Sequence, residues 1–212
     1  MQFTTDPGVP GLLRCETGAY ASACAVSADG AFAAYALGDG RVLVCDAASK
    51  NMTVTLPHQG AALCLAAFGR AFLSGGDDGR IVLTLATGEG RELLHRKSKW
   101  IEHLAVPGQG RFAAASGRDV LFFEPNPGEG GEGGEPCTPV TLGPLPGAAG
   151  GLVSAAEGRM LVACHTGGVT LFDVPPSSSA GQRVEAPGGH LALAASQDGR
   201  FLACATPDKA VR

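Results

Sequence analysis

Two adjacent carboxylates are the first residues of this chain that could do chemistry. Asp77 and Asp78 stand between glycines in the stretch GGDDGRIVL, directly before an apolar run. Such a pair can act as an acid and a base, or bind Ca²⁺ or Mg²⁺ when further oxygen ligands lie at defined spacing. The stretch lacks the ligand pattern of an EF-hand loop. Asp-Gly is also typical of a two-residue hairpin turn, which requires positive φ, and we predict this structural role.

Histidine and cysteine are the other side chains with reactive potential. Metal or nucleophile chemistry would need them grouped with partners at ligand spacing. The five histidines are scattered, and the seven cysteines lie far apart, mostly in apolar runs, without a C-x-x-C pattern. We therefore interpret the cysteines as small buried hydrophobic residues in a reducing compartment, which predicts a cytoplasmic protein. We expect no catalytic residue, no metal and no cofactor.

A glycine-rich stretch, PNPGEGGEGGEP at 125–136, has the composition of a phosphate-binding loop but not its pattern. It lacks GK[ST] and G-x-G-x-x-G, and its glutamates would repel phosphate. We predict a flexible acidic surface loop between the third and fourth strands of its repeat.

The overall composition is that of a globular chain with a sizeable core. Of the 212 residues, 45% are hydrophobic and only 17% are charged, which argues against global disorder. The formal net charge of -4 disfavours a nucleic-acid or anionic-membrane partner. No apolar run is long enough to predict a membrane span.

A repeat of about 40 residues organises the chain. Its first-turn glycines are Gly30, Gly69, Gly110, Gly158 and Gly199. Each repeat alternates short apolar runs with Gly- or Asp-containing turns, which indicates antiparallel strands. Four short strands per repeat of this length are typical of a β-propeller blade. We predict an all-β propeller with blades at about 20–57, 58–97, 98–145 and 146–187 and a partial blade at 188–212.

The phased repeats resemble the WD-repeat family. That family has Gly-His before the first strand, Asp in the second turn and Trp-Asp at the end of the third strand. Gly189-His190 matches the first motif, and Phe172-Asp173 keeps the Asp of the last. The second turns of the third and fourth repeats carry Gly117 and Thr166 instead of Asp. The resemblance implies turn carboxylates that accept hydrogen bonds from neighbouring turn and strand groups. The structural turn residues predicted on this basis are Asp39, Gly40, Asp78, Gly79 and Asp208.

Longer strings, including KWIEHLAV and GHLALAASQDGRFLACA, resemble a group of α-proteobacterial WD-repeat proteins. The chain stops within PDKAVR, which aligns with the start of a third strand. We therefore expect it to be part of a propeller of about seven blades.

One stretch, HRKSKWIEH at 95–103, combines the densest basic cluster with the only tryptophan. In a WD-repeat propeller the second turns and the linkers that enter the first strands share one face. The residues that the resemblance places there, as possible partner-binding residues, are Lys99, Trp100, Arg41, Arg80, Arg118, His165 and His190. Aromatic and Arg side chains are frequent binding anchors. The alternative is that Trp100 packs between blades and the basic residues are merely solvated.

These observations predict a non-catalytic scaffold that binds a protein or peptide through that face. A propeller presents a wide rigid surface, and no nucleophile, base and orienting group are visible together. Two alternatives stay open: an enzyme or ligand-binding protein with its site in the central channel, and an RNA-binding accessory subunit that uses the basic face.

Overall fold

The computed structural model describes residues 4–5, 13–125, 138–196 and 198–207 and consists almost entirely of antiparallel β-strands. Four four-stranded sheets follow one another along the chain, with a two-stranded hairpin at each end. Within the described ranges, no helix is long and apolar enough to cross a membrane. The predicted all-β class is confirmed. Asp208 and residues 126–136 of the predicted acidic loop lie outside the described residues.

The strands divide into six groups. The first hairpin pairs β1 (Thr4–Thr5) with β2 (Leu13–Arg14). Sheet I contains β3 (Ala21–Val26), β4 (Phe32–Leu37), β5 (Val42–Asp46) and β6 (Met52–Thr55). Sheet II contains β7 (Ala62–Phe68), β8 (Ala71–Gly76), β9 (Arg80–Thr84) and β10 (Gly90–His95). Sheet III contains β11 (His103–Gly108), β12 (Arg111–Ser116), β13 (Asp119–Phe123) and β14 (Val140–Leu142). Sheet IV contains β15 (Ala149–Ala155), β16 (Met160–His165), β17 (Gly168–Asp173) and β18 (Gln182–Glu185). Hairpin V pairs β19 (Ala192–Ala195) with β20 (Leu202–Ala205).

Each sheet is a simple meander in which strands that follow one another in sequence are also neighbours. The register of the first strand pair shifts near its start in three sheets, between Ala21 and Ala23, between Ala62 and Cys64, and between Ala149 and Gly151. A bulge at the same place in separate repeats shows that the repeat extends to backbone detail, since a bulge re-aims the strand beyond it.

Apolar cores fill the spaces between consecutive units. We call the side of a unit that points toward the preceding unit its rear face, and the opposite side its front face. Leu73 and Ile81 on the front face of sheet II pack against Phe112 on the rear face of sheet III. Strand residues alternate between the two faces. Because sheet II is covered on both faces, its second strand, β8, is buried along its whole length.

The second turn of sheet II differs from the predicted two-residue hairpin. The loop between β8 and β9 has three residues, 77–79, and the Gly79 amide donates to the Gly76 carbonyl at 3.2 Å. Only Gly79 has a positive φ, at 77°, so the two aspartates keep ordinary backbone conformations. This is the three-residue hairpin, in which glycine supplies the left-handed position. A Cβ at Gly79 would also clash with the Arg96 carbonyl of the following linker.

The cysteines follow the prediction only in part. Cys45, Cys64, Cys164 and Cys204 are buried and free, and burial raises the pKa of the Cys64 thiol to about 12. Cys24, on the first strand of sheet I, is exposed.

Candidate functional site

One end of the row of sheets is built from second turns and linkers that bind each other. The His58 amide donates to Gly40 at 3.4 Å, and the Arg96 amide donates to Gly79 at 2.9 Å. The same kind of contact recurs in sheets III and IV, where the linker amides of Leu145 and Ala186 donate to the Arg118 and Gly167 carbonyls. We call this end the turn–linker face. It comprises the turns 38–41, 77–80, 117–119 and 166–168 and the linkers 15–20, 56–61, 96–102, 143–148 and 186–191.

The most connected polar site on this face joins three side chains. His58 Nδ1 lies 3.1 Å from Asp78 Oδ1, and His58 Nε2 lies 2.9 Å from Ser74 Oγ. The Asp78 carboxylate also accepts from the backbone amides of Gln59 and Arg80, at 2.9 and 3.1 Å. Because the carboxylate can only accept, the Nδ1 atom of His58 carries the proton. The resemblance implied donors from turn and strand groups; Arg80 at the start of β9 is such a donor, whereas His58 and Gln59 belong to the linker.

Asp78, His58 and Ser74 are linked in the same order as the Asp-His-Ser triad of hydrolases. We therefore ask whether Ser74 could act as a nucleophile. In a triad, the serine Oγ attacks a bound substrate and must therefore be reachable. Ser74 is 0% exposed and lies on the rear face of sheet II, between sheets I and II. Its Oγ also lies 3.4 Å from the Val82 carbonyl of the neighbouring strand. The arrangement therefore holds a linker and a turn onto a strand and offers no access to substrate.

A serine-directed reagent can check this interpretation. We expect a fluorophosphonate probe to leave Ser74 unmodified in the folded protein, because the probe needs the same access as a substrate. Intact-mass and peptide mass spectrometry would measure the adduct, with a serine hydrolase labelled in parallel. A stoichiometric adduct on Ser74 would contradict the structural role.

The remaining predicted turn carboxylate forms a simpler contact. Asp39 pairs with Arg41 at 2.6 Å, and that guanidinium holds the pKa of the Asp39 carboxyl below its ordinary value. Arg41 also donates to the Thr17 carbonyl at 2.6 Å. Asp77, for which the repeat gave no role, lies against Gly60, where a Cβ would clash with its carboxylate.

The two other predicted histidines are buried. His165 is fully buried, with Nε2 3.0 Å from Thr170 Oγ1 and Nδ1 3.0 Å from the Thr166 carbonyl. His190 is also buried, and its Nε2 lies 3.1 Å from the Ala186 carbonyl. Neither ring presents an atom to a partner, so the exposed part of the face is formed by other residues.

Trp100, in contrast, is 59% exposed. Its loop is fixed on both sides: the Arg96 amide donates to Gly79 at 2.9 Å, and the Ile101 amide donates to Gly76 at 3.0 Å. The Ile101 side chain is fully buried in the core between sheets II and III. The indole is thus held out from the surface by an anchored backbone, and it does not pack between units.

Positive charge surrounds this tryptophan. Arg96 pairs with Asp119 at 2.8 Å, which ties the loop to the neighbouring turn. Lys97 and Lys99 are exposed and make no ion pair with any described residue. Arg118 is exposed on the same neighbouring turn. The loop and turn together therefore carry unpaired cationic groups beside an exposed aromatic ring.

The sequence prediction missed further parts of the turn–linker face. The sequence prediction placed Arg80 on this face, where it is half-buried and pairs with Glu92 at 3.3 Å. The prediction did not name Ser74, and it did not name three large apolar side chains that are exposed on linkers. These are Tyr20, Leu56 and Leu191. Their common position next to a first or fourth strand was readable from the repeat, but their exposure was not.

Neither a search for metal-binding side chains nor a comparison with known proteins indicates a function. Over the part of the chain that the structure describes, no three His, Cys, Asp or Glu side chains converge to hold a metal ion. Comparison with protein-family models and with curated proteins finds no match for this chain.

Proposed function

We propose that this protein is a β-propeller module of WD-repeat type that binds a protein or peptide partner through its turn–linker face and performs no catalysis. The repeated four-stranded meanders support the propeller. The first strands of consecutive units lie beside one another, as expected when they line a common axis. A second turn that binds the next linker fits successive blades of one ring.

The observation that carries the binding proposal is the exposure of Trp100. An indole that stays exposed to water gains no hydrophobic stabilisation. A partner that covers the ring removes this apolar surface from water, and this burial stabilises the complex. Tryptophan is among the residues most enriched at binding hot spots. Since hydrogen bonds from Arg96 and Ile101 fix the backbone on either side, little of the loop's entropy is lost when a partner binds.

The charges beside Trp100 indicate the chemistry of the partner. Lys97, Lys99 and Arg118 are exposed on the loop and the adjacent turn. Complementary charge accelerates association and selects partners. The protein should therefore prefer an acidic segment that contains an aromatic or large aliphatic residue, which would contact the indole.

The proposal can be tested with a displayed random-peptide library selected on the wild-type protein. We expect enrichment of peptides that combine Asp or Glu with an aromatic or large aliphatic residue. Trp100→Ala should weaken the selected peptides by about 10–100-fold, and Lys99→Ala by less, as expected for a central anchor and a rim charge. Titration by fluorescence polarisation would measure both effects.

Leu56→Ala is the matched control, because Leu56 is an exposed apolar residue on the same face but on another linker. It should leave the affinity of these peptides unchanged. Selected peptides that bind Trp100→Ala as tightly as the wild type would overturn the proposed site.

A further inference from the structure

Two contacts join the linker that carries Trp100 to the second turn of sheet III. Arg96 Nη2 donates to the Asp119 carboxylate at 2.8 Å. The Gly117 amide donates in the opposite direction, to Glu102 Oε2 at 3.0 Å. Because one contact lies at each end of the linker, the backbone on either side of Trp100 is fixed relative to this turn as well as to sheet II.

The same turn holds the exposed side chain of Arg118 in one orientation. Arg118 Nε donates to the Leu145 carbonyl at 2.7 Å, and the Leu145 amide donates back to the Arg118 carbonyl at 2.8 Å. Because Nε is engaged, the pair of Nη groups is the part of the guanidinium that can bind a carboxylate through two parallel hydrogen bonds. An oriented cation thus lies on an element that is tied to the linker of Trp100.

Asp119 is an acidic residue within this cationic surface, where its charge opposes the binding of an acidic partner. Electrostatics alone would therefore favour a neutral residue at this position. Its carboxylate instead forms an ion pair with Arg96 in which both side chains are more than two-thirds buried. Such a shielded pair restrains two side chains more strongly than a fully exposed pair does. Its effect on binding therefore depends on what it does to Arg96 and to the linker.

We infer that Asp119 is a positioning residue: through Arg96 it holds the linker of Trp100 at a fixed distance from Arg118. This distance sets the spacing between the aromatic or aliphatic residue and the acidic residue of the partner. The inference rests on the proposed function of this face. Rigid anchors select by spacing, because one inserted residue moves a carboxylate by about 3.5 Å, beyond the range of a hydrogen bond. They also reduce the entropy that is lost on binding.

Asp119→Asn tests the inference, because positioning and charge predict effects of opposite sign. The substitution removes the ion pair and adds one positive charge to the surface. Loss of positioning should weaken the peptides selected on the wild type about 5–10-fold, chiefly through faster dissociation, whereas the added charge alone would tighten them. A glycine inserted between the two anchor residues of a selected peptide should cost the wild type about 10-fold in affinity and Asp119→Asn clearly less. Surface plasmon resonance would measure both effects.

Glu124→Gln is the matched control. Glu124 follows the other end of strand β13 and forms a partly exposed ion pair with Arg111 at 3.3 Å, away from the turn–linker face. The substitution breaks one ion pair of sheet III and changes the net charge by the same amount as Asp119→Asn. It should leave both the affinity and the spacing preference of the peptides unchanged.

Amide hydrogen exchange checks the positioning without any partner. The Arg96 amide, which donates to Gly79, should exchange at least about 5-fold faster in Asp119→Asn, whereas the Ile101 amide should keep its protection because its side chain is buried. An unchanged exchange rate at Arg96 would overturn the inference, and so would peptide affinity that is unchanged or tighter in Asp119→Asn. The Trp100→Ala result bears on the proposed function alone, since exchange reports on the linker whether or not a peptide binds.

Discussion

Replacing Phe112 by Ala is expected to lower the free energy of unfolding by about 3–5 kcal/mol, the range measured for aromatic truncation in a packed core. Phe112 is only 2% exposed and lies on the rear face of sheet III. Its ring stacks on Phe123 with centroids 4.2 Å apart and meets the edge of Phe68 at 5.9 Å. Strands β7, β12 and β13 fix these rings, so the resulting cavity cannot collapse easily.

The loss should appear in urea unfolding as a lower midpoint with an unchanged slope, because the surface exposed on unfolding is nearly the same. Phe201→Ala is the matched control. It removes the same atoms from a residue that is 69% exposed, and it should change stability by less than about 0.5 kcal/mol. Equal losses for the two variants would mean that sheets II and III do not pack as described.

The repeat made most of this fold predictable. Each phased glycine marks the turn between a first and a second strand, and the four strands predicted per repeat are present in each of the four sheets. Period-2 alternation could not show which face of each strand was covered, because both faces of the middle sheets are buried. The number of residues in the second turn was also not readable, since Asp-Gly occurs in both two- and three-residue hairpins.

The candidate site was predictable only where backbone chemistry dictated a residue. Asp78 could be identified because a turn carboxylate accepts nearby amides. Ser74 carries no local signal, and its link to His58 depends on a separation of 16 residues. The exposure of Trp100 was equally hidden, because an aromatic residue before a strand suits a core and a surface alike. Only the hydrogen bonds of its neighbours, Arg96 and Ile101, decide between the two.

Asp78→Asn is expected to cost about 3 kcal/mol at neutral pH, the size of effect seen when a buried charged hydrogen-bonding partner is removed. The Asp78 side chain is only 10% exposed. The amide keeps one acceptor oxygen but directs an NH₂ group at donors from His58, Gln59 or Arg80. Asp39→Asn is the matched control, since Asp39 occupies the same turn position in sheet I without a histidine partner. Its effect should be much smaller, because exposed ion pairs contribute little.

The cost of Asp78→Asn should depend on pH with a defined sign. Burial opposes ionisation of Asp78, but hydrogen bonds from the Gln59 amide and the His58 ring outweigh it and lower the pKa of the carboxyl. A carboxyl whose pKa is lower in the folded state stabilises the protein above its unfolded pKa, and this stabilisation is lost as the pH falls through the folded pKa.

The difference in unfolding free energy between wild type and Asp78→Asn should therefore be constant above about pH 5 and shrink below about pH 4. Urea titrations across this range would measure it. Because Asp29, Asp46 and other carboxyls also have lowered pKa values, only the difference between the two proteins isolates Asp78. A difference that stays constant at low pH would show that the shape of the side chain, and not its charge, holds the linker to the turn.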